Sequence, residues 1–167
     1  MIEIFLSLPV MAIAMVIQLG VLGQFRLLHG SADLSMLIII AWSLNRTTKY
    51  SWLWALAGGA ILSFVSAVPA YGYIWTYLLI WLVIQFLTRR VWQMPVIMML
   101  LMTIFGTVLS PLVTYALLLI TGVTLNIQET AEQILYPPLI INLLLAIPVY
   151  SLFSDIVRTI YPDEEDL

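Results

Sequence analysis

Few residues in this chain are equipped for chemistry. Glu3, Asp33, Asp155 and Arg158 stand at the ends of apolar runs, and the interiors of those runs carry no charge. A proton or ion relay needs carboxylates within the membrane, and an intramembrane aspartyl protease needs two that face each other. Neither arrangement is offered here. Metal-dependent phosphoryl transfer calls for acids or histidines clustered on one face, and Asp33 stands alone. His29, the single histidine, lies in a polar connection without a cysteine or acidic cluster and reads as a solvated side chain. Ser63 and Ser66 have no base in the same membrane plane and read as packing residues with local hydrogen bonds. Cysteine is absent, which removes disulfides, thiolate catalysis and thiolate-bound metals. No enzymatic activity, cofactor, metal or nucleic-acid partner is expected. Asn142 has most at stake, because an amide in hydrocarbon needs a partner from its own chain or from another protein's helix. Trp75, Tyr77 and Asn142 are the candidates for lining a pocket near the outer face.

The elements that hold these residues follow from composition. The chain has 167 residues, of which 63% are hydrophobic and 9% charged, with a mean hydropathy of +1.08. A soluble fold of this size has too little interior for so much apolar surface. The reading is an all-α integral membrane protein: a single polytopic domain over residues 1–157, then an acidic cytoplasmic tail at 158–167. Met1-Ile-Glu-Ile-Phe5 lacks the basic start and cleavage site of a signal peptide, so the first helix is expected to remain.

Transmembrane helices are predicted over about 4–25, 32–44, 51–68, 72–88, 95–120 and 138–157. A short amphipathic helix is predicted on the outer face at 127–135, where Asn126 and Glu129 resemble a capping box. The second span is short, and runs of that length are often re-entrant or interfacial. Ser31 can cap its start, with Asp33 favourable against the helix dipole. Pro9 belongs to the first turns of the first span. Pro69 and Gly72 mark the turn between the third and fourth spans. Pro111 and Pro148 should kink their helices, Pro137 should stop the amphipathic helix, and Pro138 should open the last span. Tyr71, Tyr73, Trp75 and Tyr77 mark one interface; Trp52, Trp54 and Trp92 mark the other.

The third span carries a seam of small residues: Ser51, Ala55, Gly59, Ser63 and Ala67 at steps of four, with Gly58, Leu62 and Ser66 beside it. Packing between helices in lipid depends on such residues, so this helix is expected at the bundle's centre. Met102, Gly106, Ser110 and Thr114 repeat the pattern and make the fifth span its natural partner. Packing within the chain is preferred over a surface kept for another protein. With six spans, Arg46, Lys49, Arg89, Arg90 and Arg158 lie on one side as topology anchors and only Arg26 on the other, which makes both termini cytoplasmic. A re-entrant second segment gives five spans with all the basic residues inside, and the C-terminus is cytoplasmic either way. Arg89-Arg90 is a topology anchor first and a contact to anionic membrane lipid second.

The order of features resembles a known family. A first span is followed by Gly30-Ser-Ala-Asp33-Leu and a short apolar segment, then a basic loop, Gly58-Gly59 with Ser66 and Pro69-Ala-Tyr-Gly72, and a last span opening Tyr136-Pro-Pro-Leu-Ile-Ile-Asn142. Over essentially the whole chain this resembles the MreD family of the bacterial rod-shape machinery. Where the family pattern has an acidic residue one turn after the Gly-rich stretch, this chain has Ser63. The resemblance implies a six-helix fold similar to the substrate-binding subunits of energy-coupling-factor transporters, without enzymatic activity, in the bacterial cytoplasmic membrane. It also implies partners: an MreC-like single-span protein and, through it, the MreB filament, a RodA-type glycosyltransferase and a penicillin-binding transpeptidase. The expected function is a scaffold docking their helices through Ala55, Gly58, Gly59, Ser63, Ser66, Gly106, Ser110 and Asn142. The alternative is a small-molecule-binding subunit of a membrane transporter.

Overall fold

A helix that is apolar on every side has no polar face to turn outward, and the chain wraps its other helices around the shortest run of that kind. The computed structural model describes residues 2–22, 32–45, 47–66, 70–88, 94–120 and 135–161. Its helices are α1 (Ile2–Ile17), running on into a π-helical turn (Gln18–Leu22), α2 (Leu34–Leu44), α3 (Trp52–Val65), α4 (Ala70–Thr88), α5 (Pro95–Ile120) and α6 (Tyr136–Ile160). Among the described residues there is no strand. α5 and α6 are long and apolar enough to cross a membrane.

The centre belongs to α2, not to α3. Every residue from Ser35 to Leu44 is buried, and α2 touches each of the other five helices. Its 11 residues rise only about 16 Å, yet it does not turn back. Gln18, at the end of α1, meets the start of α2, while Glu3, at the beginning of α1, meets Lys49 and Tyr50 just beyond its other end. Asp33–Asn142 and Asn45–Ser154 both join residues 109 apart in sequence, so α2 and α6 run parallel in constant register. α2 therefore runs antiparallel to α1 and parallel to α6, through the interior of the bundle.

The small-residue seam of α3 is filled by α4, which runs antiparallel to it. A Cβ on Gly59 would lie 2.7 Å from the Ile74 Cα. At one end of the pair Ser51 Oγ accepts from Trp81 Nε1 and Gln85 Nε2; at the other, Ser66 Oγ donates to Tyr73 OH. The seam of α5 faces elsewhere: Gly106 abuts Met36 of α2 and Ile80 of α4. Gly59 and Gly106 thus serve separate contacts, contrary to the expected pairing of the third and fifth spans.

The aromatic residues also divide differently. Trp54 is not an interface marker but lies fully buried, stacked on Trp42 at 4.1 Å with Phe153 edge-on to both. Tyr77 is fully buried, whereas Trp52 and Trp75 are exposed. α4 begins at Ala70, two residues before the expected start, so Gly72 sits within its first turn, and Pro137 belongs to the first turn of α6 beside Pro138. Proline needs no N–H partner at that position. Pro9 lies deeper than expected because α1 begins at Ile2, and Pro111 and Pro148 lie inside continuous helices. α6 runs three residues past the expected boundary, to Ile160. Residues 127–134 of the expected helix, Arg26, Pro69, Ala67, Trp92, Arg46, Arg89 and Arg90 lie outside the described residues.

Candidate functional site

Two carboxylates stand at the two ends of the central helix. At one end the short α2 begins level with the middle of α5, and its first-turn N–H groups have no intrahelical partner. Each finds a side chain. Asn142 Oδ1 accepts from Asp33 N at 2.9 Å, Gln18 Oε1 from Leu34 N at 2.9 Å and Ser35 N at 3.3 Å, and Asp33 Oδ1 from Met36 N at 3.0 Å. Tyr77 OH donates to the Asp33 carboxylate at 2.7 and 2.9 Å, and Asn142 Nδ2 donates to Thr107 Oγ1 at 3.0 Å. Four helices thus send one polar side chain each to the start of a fifth. The π-turn that follows α1 carries Gln18, and such single π-turns are frequent at functional sites.

The other end of α2 is answered in the same manner. Asn45 Nδ2 donates to Ala41 O, while Thr48 Oγ1 donates to Trp42 O and Asn45 O. Beyond it, the buried Glu3 carboxylate accepts from Lys49 N and Tyr50 N at 3.1 Å and from Tyr161 OH at 2.9 Å. Burial, the hydrogen bond to Glu3 and the neighbouring Glu3 charge push the Tyr161 phenol up to about 12. Lys49 and Arg158 are exposed at this end.

Because α2 is short, the longer helices enclose a space above its first turn. α5 continues from Thr107 to Ile120, about 20 Å at 1.5 Å per residue. The resulting cavity has a volume of about 410 Å³, with Asp33, Gln18, Asn142 and Thr107 along its floor and Tyr73 and Tyr115 among its walls. Asp33 is the single charged residue lining it among the described residues. Among the described residues, no group of three or more histidine, cysteine or acidic side chains could hold a metal ion.

The sequence-predicted residues separate accordingly. Asn142, Ser66 and Ser110 line the cavity; Ala55 is buried on α3, Gly58 faces α1, α2 and α4, Gly59 faces α4, and Gly106 faces α2 and α4. Ser63 bonds back to the Gly59 carbonyl. Of the three expected pocket residues, Asn142 is present, Tyr77 stands behind Asp33 without lining the cavity, and Trp75 points outward at 65% exposure. Gln18 and Thr107 are visible in the sequence only as polar residues within apolar runs, and nothing there pairs them with Asp33 and Asn142. No protein-family model, curated protein or solved structure matches this chain.

Proposed function

We propose that this chain is a non-catalytic membrane scaffold of the MreD type, a bundle of six transmembrane helices in the bacterial cytoplasmic membrane. It docks helices of the cell-wall elongation complex: an MreC-like single-span protein and, through it, the MreB filament, the RodA-type glycosyltransferase and its penicillin-binding transpeptidase. The observation that carries this reading is where the interior polarity goes. Asp33, Asn142, Gln18 and Glu3 are all engaged by backbone or phenol donors that hold elements in place. In a bilayer every backbone group must be satisfied internally, and a helix of half-membrane length is tolerated only when protein covers its ends. The outward faces are apolar, with Phe64 91% and Leu144 73% exposed, as expected for surfaces meeting lipid or other helices. Because Gly59 and Gly106 are filled from within, docking falls to those outward faces. The exposed Lys49 and Arg158 support a cytoplasmic Glu3 end, with the cavity toward the outer side.

Photoreactive residues at Phe64, Leu112, Leu144 and Leu152, crosslinked in the living membrane, test the proposal. Adducts to a single-span wall-synthesis protein from one face support it. Adducts to an ATPase-coupled membrane subunit overturn it in favour of the second reading, a transporter's small-molecule-binding subunit, which the 410 Å³ cavity favours.

A further inference from the structure

The cavity above α2 also has a definable ligand chemistry, independent of whether the chain acts as a scaffold. Helix starts usually attract anions through their free N–H groups. Here the Asp33, Leu34, Ser35 and Met36 N–H groups are already taken by Asn142, Gln18 and Asp33 itself. An anion entering the cavity would find those donors occupied and a carboxylate among them. The floor offers acceptors instead. Ionised Asp33 has about four lone-pair sites and receives one N–H and one O–H, the latter shared between its oxygens. Pro111, on the cavity wall, has no N–H for the Thr107 carbonyl, its i→i−4 acceptor in a regular helix.

A carboxylate in a low-dielectric interior is either neutralised or paired with a counter-charge, and a bound cation would supply the pairing. No described residue of the lining is cationic, while Tyr73 and Tyr115 supply ring faces of the kind that attract cations. Most of the remaining wall is apolar, including Met15, Leu62 and Leu118. A volume of about 410 Å³ falls in the ordinary range for small-molecule sites. We infer that this cavity is a binding site for a primary ammonium group carrying an apolar body, with the ammonium on Asp33 and the body between the outer halves of α1, α3 and α5. Both a free organic amine and the headgroup of an aminophospholipid have this chemistry.

The test uses the full chain in phosphatidylglycerol nanodiscs, which contain no ammonium lipid. Phenethylammonium is expected to raise the thermal midpoint saturably, whereas phenethyl alcohol and 3-phenylpropionate are not. Asp33→Asn retains a capping oxygen and is expected to require about tenfold or more phenethylammonium for the same shift. Should that variant fail to fold, Thr114→Phe fills the cavity while leaving Asp33 intact, and it is expected to abolish the response. Adding phosphatidylethanolamine separates the two sources: weaker apparent binding of the probe identifies the headgroup as occupant, and an unchanged response identifies a free amine. Equal shifts from the alcohol, no shift from the amine, or an undiminished response in both variants would overturn the inference. Partner crosslinking does not depend on this result, so the scaffold proposal fails or stands separately.

Discussion

Gly58, Gly59 and Gly106 look alike in sequence, but what a methyl group would strike differs at each. At Gly59 it meets the Ile74 backbone at 2.7 and 3.0 Å; at Gly106 it meets the Met36 sulfur at 2.6 Å; at Gly58 it meets the end of Ile39 at 3.1 Å. A thioether can rotate away and a helix backbone cannot. Gly59→Ala is therefore expected to destabilise by about 1–3 kcal/mol in denaturant unfolding. Gly106→Ala should stay within about 1 kcal/mol, since alanine's helix preference offsets the displaced methionine. Asn142→Leu strands the Asp33 N–H and removes the partner of Thr107, at an expected cost of about 1–3 kcal/mol by the same measurement. The sequence shows that Asn142 needs a partner, because an amide within an apolar run is expensive to leave unpaired. It does not show which, since Asp33 lies 109 residues away and supplies a main-chain group that leaves no mark on residue identity.

At the scale of elements, most helices are legible in the sequence and their neighbours are not. The helix Pro95–Ile120 coincides with the segment read from hydropathy alone. Centrality was misread because hydropathy does not distinguish lipid around a helix from protein around it. The α3 seam advertises close contact, yet close contact with one neighbour is not the middle of a bundle. α2, bulky and apolar throughout, is the helix that all the others touch. Hydrogen exchange should accordingly be slowest in the second half of α2, in keeping with its burial. Gln18→Leu deprives Leu34 N and Ser35 N of their acceptor and is expected to speed exchange in the first turn of α2. The associated loss is about 1–3 kcal/mol. The cavity escaped sequence reading for a related reason: it arises from the mismatch between α2 and α5, a difference in length that no single residue records.

For the whole molecule, the Glu3 carboxylate fastens the beginning of α1, the approach to α3 and the end of α6. An unfolded tyrosine ionises near pH 10, whereas Tyr161 in the bundle is held up to about 12. Between those values the folded chain keeps a proton that the unfolded chain has released. Its contribution to stability is complete below about pH 10 and is lost as pH rises through about 12. An unfolding series across that window is expected to show the decline in the parent protein and a shallower one in Tyr161→Phe.

The same architecture dictates an order of assembly. During synthesis, Leu34 and Ser35 emerge after Gln18, their acceptor, and Met36 bonds back to Asp33, so three of the four N–H groups at the α2 start have their acceptors at once. The Asp33 N–H waits for Asn142, and Glu3 waits for Tyr161, until the final helix has left the ribosome. A nascent chain halted before residue 135 would hold an unfinished core, with the Asp33 N–H and Glu3 each short of a partner, and the sixth helix is the latch that completes it.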